Sequence, residues 1–273
     1  MAALTYLQKF IKFLRMLSQN SYMIRSMVNR NMRARYVGSY MGLFWSVIHP
    51  ISQLLIYYFV FSVVLKMRLG EEYGSTSYAI WLVAGLLPWM FFSEVVNQSP
   101  RAILEQSTVI KKVVFPSELL PVIFLTTTLV NHLIRLTILF SFILILGYGV
   151  SFKILFLLLY LFTIGIFALG ISWLLSSLNV FLRDIGHVLP VVIQIWLYLT
   201  PIFYPSHMIP PSVRWIYELN PMFHAVNGYR MALLGKADMD FRGLAILMIV
   251  AITTFVVGGL TFQKLKPAFA DVL

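Results

Sequence analysis

The reading turns on Val188-Leu-Pro-Val-Val-Ile-Gln-Ile-Trp-Leu-Tyr-Leu-Thr-Pro-Ile-Phe-Tyr-Pro205 and the segment from there to Arg230. It begins as an apolar run and breaks at Thr200-Pro201, again at Pro210-Pro211, and again at Asn220-Pro221. Each proline removes a backbone donor and biases the residue before it away from helix. Between the breaks, Ser212–Leu219 and Met222–Leu234 are helix-length and rich in apolar and aromatic residues. Neither is long enough to cross a hydrocarbon core of roughly 30 Å, which takes about 20 residues. Two readings fit. One is a pair of helices that dip into the membrane edge and turn back, with the broken backbone buried by protein or reached by water. The other is a plain outer loop carrying two surface helices.

Working outward, the rest of the chain agrees with a membrane setting. Hydrophobic residues make up 60% and charged residues 11% of the sequence, against about 25% charged in soluble domains. Mean hydropathy is +0.85. The net charge of +11 is therefore read as a marker of the cytoplasmic side rather than of nucleic-acid binding. Cysteine is absent, which removes disulfides, thiolate metal sites and thiol nucleophiles. Lys9, Lys12 and Arg15 interrupt the first apolar residues, so no cleavable signal is expected.

Residues 1–36 hold Lys9, Lys12, Arg15, Arg25, Arg30, Arg33 and Arg35 and no acid. Leu4, Leu7, Ile11, Leu14 and Leu17 form an apolar stripe, and Ile24, Met27 and Val28 a second. Basic amphipathic helices of this kind lie in the membrane interface or dock a cytoplasmic partner. Six spans are expected: 41–65, 77–98, 117–147, 154–178, 188–203 and 244–262. The fold class is thus an all-α, six-span integral membrane protein in one domain, 1–273. Ser99 followed by Pro100 looks like an N-cap with proline at the first helical position, starting a short cytoplasmic helix over 100–109. Gly165 and Gly170 are expected to admit close helix approach, and Gly258-Gly259 lie near the end of the sixth span. His132 and Arg135 share one face of the third span; as intramembrane polar groups they are candidates for a transport role, or Arg135 pairs within the bundle. Thirteen Lys or Arg fall in the expected cytoplasmic segments against seven in the outer ones, which places both termini inside and 204–243 outside.

No Gly-x-x-x-x-Gly-Lys-Ser/Thr loop, His-Glu-x-x-His or Gly-x-Ser-x-Gly elbow occurs. The chain is therefore expected to be no enzyme, and active transport would draw energy from elsewhere.

The order of motifs resembles a known family: a basic amphipathic helix, Gly42-Leu-Phe-Trp45 with Pro50, Ser99-Pro-Arg101, Lys111-Lys112, Phe115-Pro116, Phe181-Leu-Arg-Asp184, Thr200-Pro-Ile-Phe-Tyr-Pro205, Asn220-Pro221 with Arg230, and a closing Ala270-Asp-Val-Leu273. This pattern is similar to the ABC-2 family, in particular to the membrane subunits of exporters of O-antigen, capsule or teichoic acid. His49 stands where that pattern has Asn.

The resemblance implies two copies of this permease in a bacterial inner membrane, working with two copies of a separate ATPase. No cofactor or metal is expected on this chain, and ATP and Mg belong to the partner. The cargo would be a polysaccharide on undecaprenyl diphosphate, and nucleic acid is no partner. The resemblance implies that the 100–109 helix couples to the ATPase through Pro100, Arg101 and Glu105, aided by Arg25 and Arg30. Arg30, Arg33 and Arg35 are candidates for the lipid diphosphate. Pro201, Pro205, Pro211, Asn220, Pro221 and Arg230 belong to the outer gate over 212–234. Sugar rings have apolar faces that suit flat aromatic surfaces, so Tyr57, Tyr58, Phe61, Trp196, Tyr198 and Tyr204 are glycan-pathway candidates, or else interfacial belt aromatics. Competing expectations are an exporter of a drug or small lipid, a membrane enzyme acting on a lipid-linked sugar, and a secondary transporter. The last would carry its breaks at the midplane, with repeats.

Overall fold

The computed structural model describes residues 15–34, 39–69, 76–112, 115–149, 151–236 and 238–273. The expected amphipathic stripe through Leu14 and the diphosphate candidate Arg35 lie outside them. Among the described residues the secondary structure is entirely helical. Five helical segments among the described residues are long and apolar enough to cross a membrane: 45–64, 78–98, 119–145, 152–179 and 241–272. This is a multi-pass membrane protein.

The elements run as follows. Helix α1 is Ser21–Ala34. Helix α2, Trp45–Tyr57, continues as a π-helical stretch over Tyr58–Val64. Helix α3 is Tyr78–Gln98, and two short turns follow, α4 at Arg101–Leu104 and α5 at Ser107–Lys112. Helices α6 (Leu119–Ile145) and α7 (Phe156–Asn179) are long; α8 (Ile185–Tyr198) is not. The broken segment leads to α9 (Arg214–Leu219) and α10 (Pro221–Leu234). Helix α11 (Phe241–Leu265) and a last turn, α12 (Phe269–Val272), complete the chain.

Helix α3 sits at the centre. It is apolar all round, and from Tyr78 to Val96 most of its side chains are buried, as expected for a helix with no polar face. Helices α6, α7, α8 and α10 pack around it. Helix α11 packs along α7 at a very short separation. A Cβ on Gly258 would lie 2.0 Å from the Gly170 carbonyl oxygen, and one on Gly170 would lie 2.5 Å from the Phe255 nitrogen. Small residues permit that approach of backbones in lipid, where packing rather than hydrophobicity drives association. Gly165 was expected to do the same and does not: nothing lies within 4 Å of where its Cβ would be.

Three further expectations change. The fifth expected span over 188–203 is the 14-residue α8, about 21 Å long at 1.5 Å per residue, because Thr200-Pro201 ends it. The single helix over 100–109 is two turns, α4 and α5, interrupted at Glu105–Gln106. Ser99 is not an N-cap: its backbone is helical, and its hydroxyl donates to the Val96 carbonyl at 2.6 Å. Helix α3 thus runs almost into α4 rather than stopping at a cap.

Substituting Gly258 by valine should overpack the α7–α11 contact by about 1–3 kcal/mol and lower the thermal midpoint of the detergent-solubilised protein. Gly165→Ala, in open space, should leave that midpoint where it is. Equal midpoints for Gly258→Val and the parent would remove the close-packing argument.

Candidate functional site

The break after α8 leaves carbonyls without helical partners in a buried place. Pro201 and Ile202 are buried, and buried backbone groups need partners. Arg230, on α10, supplies them. Its Nη1 donates to the Pro201 carbonyl at 2.9 Å and its Nη2 to that of Ile202 at 2.7 Å, while Nε reaches the Trp81 carbonyl at 3.3 Å. The guanidinium lies over the Trp81 ring, 3.4 Å from its centroid, so one cation holds both hydrogen bonds and a π face. Gly85 makes room for it, since a Cβ there would stand 2.7 Å from Nη2.

Asn220 does the same for the second break. Its Oδ1 accepts from the Met222 amide at 3.0 Å, capping α10, with Pro221 at the first helical position. That oxygen also accepts from Trp196 Nε1 at 2.9 Å, and Nδ2 donates to Thr200 Oγ1 at 2.9 Å. Two of the expected gate residues, 220 and 230, thus fasten the broken segment from opposite sides. Pro205 is buried, Pro221 half-buried and Pro211 exposed.

The aromatic candidates divide. Tyr57 and Phe61 join a line of rings that continues through Tyr78 to Trp81, with successive centroids 6.2, 5.2 and 5.6 Å apart. Tyr78 hydroxyl donates to the Phe203 carbonyl, tying that line to the break. Trp196 sits elsewhere, edge-on to Trp89 and Phe92 at 6.0 and 5.2 Å. Tyr198 is exposed and stacks on Phe203 at 5.9 Å. Tyr204 donates to the Tyr198 carbonyl at 2.9 Å and shares a hydrogen bond with Tyr217 at 3.1 Å. Burial, then that contact, pushes the Tyr204 phenol well above its ordinary pKa. Tyr58 is half-buried at the start of the π-helical stretch, where Leu65 N bonds to Val60 O at 2.9 Å; such stretches recur at functional sites.

Trp81, Trp89 and Phe92 fall inside the span expected over 77–98, with nothing in the sequence to mark them as partners of the break. Tyr78, Phe203 and Tyr217 were not singled out at all. Aromatic type was the available signal, but only the folded arrangement shows which rings meet.

Of the intramembrane polar pair, His132 is fully buried and its Nε2 shares a hydrogen bond with Tyr229 hydroxyl at 3.0 Å. Arg135 forms an ion pair with Glu94 at 3.1 Å. Both link α6 to neighbours, the first to α10 and the second to α3.

At the opposite end of the bundle, Ala102 and Ile103 of α4 are buried in a separate apolar cluster with Leu120, Trp173, Phe262 and Phe269. Asn179 Nδ2 donates to the Pro100 carbonyl at 2.8 Å, and its Oδ1 accepts from the Gly186 amide at 3.1 Å. Lys266 Nζ meets both Glu118 oxygens at 2.7 and 2.8 Å. Arg101 and Glu105 stay exposed. Met27 of α1 packs on this cluster, while Arg25, Arg30 and Arg33 point to solvent. The coupling candidates therefore share one apolar foundation and present charge outward. Among the described residues no group of acids and histidines could hold a metal ion.

The profile of the family described as "ABC-2 type transporter" matches residues 22–234. The chain belongs to the ABC-2 transporter family. Among its relatives, an O-antigen export system permease protein RfbA of Klebsiella pneumoniae is 30% identical over 247 residues, covering 90% of this chain and 92% of the relative. A protein of the same name from Myxococcus xanthus is 28% identical over 270 residues, covering 96% and 99%. The polysialic acid transport protein KpsM of Escherichia coli is 24% identical over 241 residues, covering 86% and 90%. The matched region of this ABC-2 chain runs from the basic helix α1 to the end of α10, and so includes the exposed basic face, α4 and the whole broken segment.

Arg230→Met keeps an unbranched side chain but removes every donor from the break. The expected loss is about 3 kcal/mol, the scale of one or two buried carbonyls left unpaired, read as a lower thermal midpoint and faster proteolysis within 199–206. Arg230→Lys should recover part of it, since a single ammonium lacks the planar fork. A wild-type midpoint in Arg230→Met would mean the break is held by something else.

Proposed function

We propose that this chain is the membrane permease of an ABC exporter of polysaccharide, with a lipid-linked O-antigen its preferred cargo. The observation that carries the reading is similarity to two named O-antigen export permeases over nine-tenths or more of both chains, together with a buried break pinned by Arg230 beside a line of aromatic rings. Two copies of the chain would form the conduit in the inner membrane. Two copies of a separate ATPase would bind ATP and Mg and push on α4 from the cytoplasm. In this reading α8 and the residues after it to 203 make the fifth of six crossings, α9 and α10 form a re-entrant outer gate, and both termini are cytoplasmic. The cargo's undecaprenyl diphosphate would meet the cations Arg30, Arg33 and Arg35 first.

The chemistry of transport follows from the groups available. A polymer that must slide cannot be held by fixed hydrogen bonds. Aromatic faces attract apolar sugar faces without locking a register. Tyr57, Phe61 and Tyr198 offer such faces near the break.

Deleting the gene for this chain should abolish surface polysaccharide in its host, and the intact gene should restore it. Replacing Tyr57, Phe61 and Tyr198 together by Leu should lower surface glycan per inserted permease by about tenfold, from roughly 0.5 kcal/mol per aromatic contact. An unchanged yield in the triple variant would sink the aromatic conduit and favour a small-molecule or small-lipid exporter.

Coupling is tested separately. Arg101 is exposed, so Arg101→Glu should leave the permease folded and inserted while cutting export and co-purification of the ATPase by tenfold or more, as expected when a cation at an interface is reversed. Wild-type association and export in this variant would move the coupling contact elsewhere.

A further inference from the structure

At the end of the bundle that holds the break, a cavity of about 610 Å³ opens between α9, α10 and the start of α11. Of its charged lining, Arg230 is committed to the carbonyls of the break, and the other groups can be taken in turn. Glu218 is paired with Arg214 at 3.3 Å. Asp238 is paired with Lys153 at 3.6 Å. Asp240 lies 3.7 Å from His224 Nδ1 and accepts from the Gly243 amide at 2.8 Å. Lys236 and Arg242 also line the cavity, and among the described residues neither has an acidic partner within 4 Å. The acids are occupied, and two cations are left over.

The surroundings narrow what those cations face. Helix α11 is one of the apolar spans, and Gly243, Leu244 and Ile246 of its first turns wall the cavity. The cavity therefore sits where a span leaves the hydrocarbon. Its lining carries apolar side chains that the protein itself does not cover, Trp215 at 61% and Leu219 at 66% exposed; Phe241, which precedes the lining residue Arg242 in sequence, is 69% exposed. A small soluble anion makes no use of that apolar rim, and a hydrocarbon chain makes no use of Lys236 and Arg242. A lipid whose phosphate lies at the membrane surface uses both.

We infer that this cavity is a binding site for the phosphate headgroup of a membrane lipid, with Lys236 and Arg242 on the phosphate and Trp215, Leu219 and Phe241 against the adjoining acyl or prenyl carbons. The shared chemistry is a lipid phosphate ester. It can come from a resident phospholipid or from a polyprenyl phosphate, and the assay separates these two sources. The inference stands apart from the aromatic conduit, since none of the conduit residues lines the cavity.

The test is native mass spectrometry of the full-length permease in detergent, titrated in turn with phosphatidylglycerol, undecaprenyl phosphate and inorganic phosphate. One lipid should bind saturably per chain, and the tighter of the two lipids identifies the source. Lys236→Gln and Arg242→Gln should each weaken that binding about fivefold and together about thirty-fold, from the usual worth of one cation near a lipid surface. Arg183→Gln, exposed in the turn before α8 and not part of the cavity lining, should bind as the parent does. Should the double variant fail to fold, the charge-keeping pair Lys236→Arg with Arg242→Lys provides the comparison and should bind like the parent while the single Gln variants do not. Equal lipid affinity in the parent and the Gln variants overturns the site. Displacement of bound lipid by inorganic phosphate at matching concentration also overturns it, because it would leave an anion site with no lipid character.

Discussion

A chain that breaks its own helix inside a packed bundle must find new partners for the backbone it exposes, and in this protein one guanidinium meets most of that need. Arg230 bonds the carbonyls of residues 201 and 202 while resting on Trp81. In an apolar surrounding an unpaired carbonyl or a bare cation costs several kcal/mol. Each half of the contact therefore depends on the other: the break is tolerable because the arginine is there, and the arginine is tolerable because the break presents carbonyls to it. Gly85 and the Trp81 ring are shaped around that exchange.

The same contact joins three parts of the molecule. Trp81 belongs to the central α3, residue 230 to α10, and the carbonyls to the segment leaving α8. Asn220 adds the entry to α10 and the Trp196 ring. A movement of α9 and α10 would have to carry the break with it, because the fastenings on both sides are hydrogen bonds with fixed geometry. The aromatic line from Tyr57 to Trp81 ends on this clamp, so the line of rings and the fastening of the broken segment are one mechanical unit.

The other end of the bundle is built differently. Its cluster draws residues from α4, α6, α7, α11 and the last turn of the chain, with Met27 of α1 packed against it. Phe269 touches Phe262 and Phe181, with centroids 5.4 and 6.3 Å away. Exposed Arg101 therefore stands on an apolar block rather than on an isolated loop. Asn179 binds that block to the turn before α8, and α8 leads directly to the break. This gives a continuous packed route from one end to the other, made of elements that the chain order alone keeps apart.

Composition and run length determined by themselves that this is a multi-pass helical membrane protein, because a lipid interior demands long apolar helices and tolerates little else. The proline breaks located the irregular segment, and Asn220-Pro221 stated its cap in sequence. Family membership was legible too, from motifs spread over nearly the whole chain. What the sequence left open depends on which side chains meet. It could not tell that Gly170 rather than Gly165 faces α11, nor that Ser99 turns its hydroxyl back into α3 instead of capping a new helix. It offered Arg135 as an intramembrane polar group and Arg230 as a member of the gate motif; only the tertiary structure gave the first a carboxylate and the second two carbonyls and a ring. Helical periodicity fixes which residues share a face, but partners come from other helices, and their rotation and depth are set by packing against the whole bundle.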